Sequence, residues 1–292
     1  MRIGALEAGG TKMVCAIGDE FGNIEKQISI PTTVPQVTMP LMANFFLDEG
    51  IEALGIACFG PIDLNLSSST YGYIKKTPKL AWANYDFVGE MKKLLRVPIG
   101  FDTDVNGSCL GEATFGQAKG KENVVYLTVG TGIGGGIISN GRLLHGLTHP
   151  ETGHIMLKRH PKDIYGCKCP YHDSCFEGLA AGPAIEERWG APAFDLENRE
   201  EVWDMEAYYI AQALMDYILI LSPEMIILGG GVMHQKQLFP LIRKYTKELL
   251  NGYIQASVLE DMDCFIVPAS LNDNQGIMGA LELGRRAANS LI

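Results

Sequence analysis

Ile3-Gly4-Ala5-Leu6-Glu7-Ala8-Gly9-Gly10-Thr11-Lys12-Met13-Val14-Cys15-Ala16-Ile17 begins with a short apolar run, breaks at paired glycines and resumes as a second apolar run. Runs of this length bounded by glycine read as two strands joined by a tight turn. Asp19-Glu20-Phe21-Gly22-Asn23 is a further turn, and Ile24 to Ile30 a third strand. The same order starts again downstream. Val124 to Val129 reads as a strand and Ile137-Ile138 as its partner, joined by the turn Gly130-Thr131-Gly132-Ile133-Gly134-Gly135-Gly136. A duplicated α/β unit with a cleft between the copies explains this recurrence.

The segments around these hairpins fit that pattern. Helices are predicted over 35–49, 85–95 and 105–115, then over 183–190, 204–221, 235–250 and 275–288. Ala53 to Phe59 is a continuous apolar run, as a buried strand requires. Pro98 to Phe101, Met225 to Leu228 and Phe265 to Val267 complete the predicted strands. Residues 145–175 are rich in His, Pro, Gly and Cys and carry no periodic pattern.

Composition excludes several classes of function. With 292 residues and 47% hydrophobic content, the chain has ample material for a core and is not disordered. A formal net charge of −10 argues against a cationic nucleic-acid surface. Phosphate must then be bound locally, by backbone N–H groups, a metal or a few Lys and Arg side chains. No secretory signal and no membrane-length apolar run is found, so a cytoplasmic location without membrane association is expected.

Glycine loops at strand ends are the first candidates for chemistry. Gly9 and Gly10 let backbone N–H groups turn toward an anion, Thr11 offers a hydroxyl and Lys12 a point charge, although a plain hairpin would use the same glycines. Gly130 to Gly136 holds five glycines in seven residues. It lacks the Gly-Lys-Ser/Thr ending of a Walker A loop. Gly229-Gly230-Gly231, followed by Val232 and Met233, ends an apolar strand and suits close approach of a nucleotide to the backbone. Asp104 sits at a strand-to-helix junction. A carboxylate there either accepts a proton from a reacting hydroxyl or caps the helix Val105 to Phe115. Asp102 is expected to point elsewhere by strand alternation. His145, His149, His160 and His234 read as surface or loop histidines.

Taken together, Glu7 to Lys12, Gly60-Pro61-Ile62-Asp63, Asp102 to Asn106, Gly130 to Gly134, Glu151-Thr152-Gly153-His154, the cysteine segment 167–177 and Gly229 to Gly231 resemble the ROK family of sugar kinases, in the family's order. The segment from Cys169 to Pro183 looks most like that of bacterial fructokinases. The resemblance implies an α/β, actin-like ATPase (ribonuclease H-like) fold. Two domains would surround a cleft: 1–112 plus 275–292, and 113–274 with a zinc loop near 154–175. It also implies roles. Asp104 corresponds to the base that deprotonates the sugar hydroxyl, with Gly60, Pro61, Thr103, Glu151 and His154 at the sugar. Gly9, Gly10, Thr11, Lys12, Thr131 and Gly132 line the phosphates. Pro183, Gly229, Gly230, Gly231, Val232 and Met233 lie near the rest of the nucleotide. The implied reaction transfers phosphate from ATP, with Mg2+, to a hexose, fructose above all, and a homodimer is the expected assembly. A repressor of the same family would carry a DNA-binding module ahead of Glu7. A non-catalytic sensor would have lost Asp104 or the glycine loops.

Cys167, Cys169 and Cys175 lie within nine residues, which without a secretory signal favours a metal over a disulfide. Cys169, His172 and Cys175 at i, i+3 and i+6 suit a knuckle, and His154 completes a Cys2His2 set for structural zinc. Cys167 is the competing ligand. Threonine at 103, where many glucose-directed members carry asparagine, argues against glucose.

Overall fold

The computed structural model describes residues 1–289 and divides into two compact units. Of the described residues, the first comprises 1–120, 143–149 and 270–289, the second 121–142 and 150–269. These bounds differ from 1–112 plus 275–292 and 113–274 by placing 113–120, 143–149 and 270–274 with the first unit.

In the first unit, β1 (Arg2–Ala8), β2 (Lys12–Asp19) and β3 (Ile24–Pro31) form the antiparallel part of a five-stranded sheet. After α1 (Pro35–Leu47), β4 (Ala53–Cys58) pairs parallel to β1. A small hairpin of β5 (Tyr73–Ile74) and β6 (Tyr85–Asp86) leads into α2 (Phe87–Leu95). Strand β7 (Ile99–Thr103) then joins parallel to β4, and α3 (Asp104–Thr114) follows directly. The second unit repeats the scheme. Strands β8 (Val124–Val129) and β9 (Ile133–Ser139) are antiparallel, and β10 (Arg142–Leu143) lies beyond β9. The helices α4 (Phe176–Ala180), α5 (Gly182–Trp189) and α6 (Glu200–Leu221) precede β11 (Met225–Gly229), which is parallel to β8. Then α7 (Leu238–Leu250) and α8 (Met262–Phe265) lead to β12 (Ile266–Pro268), parallel to β11. The orders β3-β2-β1-β4-β7 and β10-β9-β8-β11-β12 are the same order twice. Finally α9 (Gln275–Ala288) returns to the first unit.

Strand alternation explains the layers of the first unit. Ile3, Ala5, Val14, Ala16 and Ala57 pack against Ile277, Ala280 and Leu281 of α9. Leu6, Ala8, Met13, Cys15 and Ile17 face the other way, into a core with Met39, Met42, Phe46 and Phe87 from α1 and α2. Gly55 admits α9 to the sheet: a Cβ there would stand 1.7 Å from the Ala280 carbonyl oxygen. Glu7 has the parity of the α9 face, which places its carboxyl against the first turn of that helix at Gly276.

Three expectations change. The glycine turn of the second unit is only Gly130–Gly132, because Gly134, Gly135 and Gly136 pair with Thr128, Leu127 and Tyr126 inside β9. The missing side chain of Gly135 serves packing: a Cβ there would meet Thr152 Oγ1 at 2.6 Å. The helix predicted from 235 starts at Leu238, after a separate 3-10 turn Gly231–His234. Asp104 is not the N-cap of α3, since Thr103 fills that position and its Oγ1 accepts from Asn106 N at 3.1 Å. Among the described residues no helix is long and apolar enough to cross a membrane.

Candidate active site

In the first unit the β1–β2 turn is held from both sides. Gly9 N donates to Lys12 O at 3.0 Å, while Thr32 N donates to Thr11 O and Thr32 Oγ1 to Gly9 O. A Cβ on Gly9 would lie 2.7 Å from Lys12 O, so only glycine closes this turn. Thr11 and Lys12 are left exposed at its tip. Glu7 sits at the end of β1 just before them. Burial, then the Asp104 charge, push its carboxyl up to about 7, with Asp273 adding to the rise and Lys12 opposing it. The same Asp104 charge adds to the burial that raises the Cys58 thiol. Glu7 and Asp104 thus face one another electrostatically, at the start of α9 and the start of α3.

Asp104 occupies the first turn of α3, half-buried, and its Oδ1 accepts from Val105 N. Thr103 is buried. Gly60 and Pro61 follow β4 through a cis peptide bond, and a Cβ on Gly60 would lie 3.3 Å from His149 Nε2. His145 and His149 both lie in a loop, as the sequence suggests, and His145 is exposed. His149 is buried, and His145 Nε2 stands 2.9 Å from Asp102 Oδ2. Asp102 raises the His145 imidazole above its ordinary range by that hydrogen bond. The segment carrying both histidines had no helical or strand period, so nothing in the sequence signalled the pairing.

In the second unit three separate segments converge. Gly182 N donates to Gly130 O at 2.7 Å, which brings the β8–β9 turn to the start of α5, where Pro183 is the second residue. The Gly231 backbone lies beside Gly130 as well. Gly230 follows β11 with φ 90°, packed on Val129 and Thr128, a conformation and a space suited to glycine. Thr131 and Gly231 are exposed and Gly132 half-buried, whereas Val232 and Met233 are buried.

The 3-10 turn Thr152–His154 packs on β9, with exposed Glu151 just ahead of it. His154 Nδ1 stands 3.9 Å from Cys169 Sγ, and His172 Nδ1 stands 3.4 Å from the same sulfur. The ligand atoms of His154, Cys169, His172 and Cys175 all lie within 4.8 Å of one another. This donor set suits a tetrahedral ion, whose ligands at about 2.0–2.3 Å sit a little under 4 Å apart. Burial pushes the Cys175 thiol up to about 12, a direction that a bound cation reverses. Cys167 lies outside the group, its Sγ packed against Gly178. Sequence reasoning missed Glu177. Its Oε2 accepts from Ile133 N at 2.9 Å and its Oε1 lies 3.9 Å from His154 Nε2. Its place directly after Cys175-Phe176 was the available signal.

The family model described as the ROK family matches residues 3–287. This chain belongs to the ROK family. A Bacillus subtilis (strain 168) protein is 52% identical over 286 residues, covering 98% of this chain and 96% of its own length. The fructokinase of Pediococcus pentosaceus is 46% identical over 287 residues, covering 98% and 99% of the two chains. Among solved structures, the ROK hexokinase of Thermus thermophilus superimposes with a TM-score of 0.81 at 24% identity, covering 99% of this chain and all of that one. The ROK fold of this chain is therefore the α/β, actin-like ATPase architecture that the family resemblance implied.

Proposed function

We propose that this chain is an ATP-dependent fructokinase that makes fructose 6-phosphate. The observation that carries this reading is Asp104, a half-buried carboxylate in the first turn of α3, electrostatically coupled to Glu7 beside the Gly9–Lys12 turn. Relatives named fructokinase, 40–48% identical and spanning most of the chain, support fructose as the substrate.

Asp104 accepts the proton of the sugar 6-hydroxyl as that oxygen bonds to the γ-phosphorus and the bond to the β-phosphate oxygen breaks, releasing ADP. The N–H of Gly10, the Thr11 hydroxyl and the Lys12 ammonium hold phosphate oxygens, and Gly9, whose own N–H closes the turn on Lys12 O, lines them. Thr131, Gly132, Pro183 and Gly229 to Met233 hold the remaining nucleotide. Gly60, Pro61, Thr103, Glu151 and His154 bind the sugar. Magnesium arrives with ATP and offsets phosphate charge. His154, Cys169, His172 and Cys175 would hold one zinc ion, whose contribution is to keep their loop folded. A cytoplasmic homodimer goes with this reading.

A panel of fructose, mannose, glucose and N-acetylmannosamine with Mg-ATP and ADP detection tests it. Fructose should give the highest kcat/KM. A preference for glucose or the acetylated sugar of about tenfold, about 1.4 kcal/mol in the transition state, would remove the fructokinase assignment. No ADP release with any sugar would remove the kinase assignment.

A further inference from the structure

The strongest unused feature of the first unit is the polar clasp around the start of α3. Asp102 is the second-last residue of β7, and its side chain is only 5% exposed. One of its oxygens, Oδ1, accepts from Thr103 N at 2.8 Å and from Asn106 Nδ2 at 2.7 Å. The other, Oδ2, meets His145 Nε2 at 2.9 Å. Asn106 is buried as well, and its backbone N–H is taken by the Thr103 hydroxyl. The Asp102–Asn106 bond therefore arches over residues 103 to 105, with Asp104 at its centre. A buried carboxylate must be fully supplied with donors, and the His145 ring supplies the one that its own strand and helix do not.

We propose that His145, acting through Asp102, is a positioning residue that fixes the aim of the Asp104 carboxylate. This rests on the reading of Asp104 as the base. Residues 103 to 106 carry the helix start, so the orientation of Asp104 depends on their dihedrals. The arch closes those dihedrals only while Asp102 is held in one rotamer. His145 holds it from outside the helix. Without that donor Oδ2 turns to solvent, the Oδ1 bonds loosen, and Asp104 gains rotational freedom. The raised imidazole is consistent with the pairing, and the groups in contact with the ring are Asp102 and Asn106. His145 also lies on 143–149, a segment that otherwise belongs to no helix or strand beyond Leu143 and yet packs with the first unit. The pairing gives that placement a function.

Glutamine places an amide nitrogen near the Nε2 position of histidine, and asparagine falls short of it. Steady-state kinetics on the full chain with fructose and Mg-ATP would compare wild type, His145→Asn, His145→Gln and Asp102→Asn, each with a melting curve. His145→Asn should lower kcat by about tenfold or more, the scale of a slightly misplaced reacting group, while KM for Mg-ATP changes less than about twofold. His145→Gln should recover most of the loss. Asp102→Asn keeps an acceptor for Thr103 N and Asn106 and turns an amide N–H toward the neutral His145 ring, which can accept it at Nε2, so it should lose less kcat than His145→Asn. Equal kcat in His145→Asn and wild type overturns the inference. Equal losses in the Asn and Gln variants, or losses that track a fall in melting temperature, also overturn it by showing a merely structural role. If Asp104→Asn retains normal turnover, the reading of the base fails and the inference goes with it. If Asp104→Asn is inactive and His145→Asn is not, only the inference fails.

Discussion

Glu7→Gln isolates the carboxyl that burial and Asp104 hold up at about 7 from an ordinary 4.5. Below pH 4.5 this group is protonated in both the folded and the unfolded chain, and its neutral form costs folding little. As pH rises from 4.5 to 7 the unfolded chain releases the proton and the folded chain keeps it, so stability falls across that window. Above about 7 the folded carboxyl ionises too, and the deficit levels off. At about 1.4 kcal/mol per pH unit the full deficit is about 3 kcal/mol. Solvent reaches this partly buried group, and screening reduces the figure to roughly 2 kcal/mol. Glutamine fills the same space against Gly276 and never ionises. In magnesium-free buffer, Glu7→Gln should therefore match wild type near pH 4.5 and melt higher at pH 8, by several degrees at about 2–4 °C per kcal/mol. Thermal melts of both proteins at half-unit intervals from pH 4.5 to 8 measure this. Asp104, Asp273 and Lys12 respond to the loss of the Glu7 charge, while the titrating groups away from this cluster are common to the two chains and cancel in the difference. A melting difference that stays constant over this range would refute the assignment of Glu7 as a carboxyl held neutral by burial and Asp104.

Asp104→Asn should lower kcat for fructose by at least about 10²-fold with ATP binding retained; near-normal turnover would remove Asp104 as the base. Elemental analysis of protein purified without chelators should find about one zinc per chain, and a metal-free result would end the zinc reading. Cys169→Ser, His172→Ala and Cys175→Ser should each lose the metal. Cys167→Ser should keep it, because that sulfur packs on Gly178, outside the ligand group.

Local pattern was sufficient for the two hairpins, the buried strand Ala53–Cys58, the closing helix from Gln275 and the helix that Asp104 begins. Each of these follows from apolar periodicity and glycine over a few neighbouring residues, information that a sequence carries directly. The grouping of Cys169, His172 and Cys175 was legible for the same reason, since the three residues are close neighbours in the chain. What tertiary structure decided involves residues far apart in sequence. Glu7 reads in the sequence only as the carboxylate that opens the Glu7 to Lys12 motif, and its raised proton affinity follows from α9 and Asp104 closing over it. Gly134 to Gly136 look like a loop until β8 pairs with them and Thr152 takes the space that a Gly135 side chain would fill. His145 looks like one loop histidine among several until it meets Asp102, 43 residues earlier. Periodicity reports which face a residue presents, and it carries no record of which distant residue that face will meet.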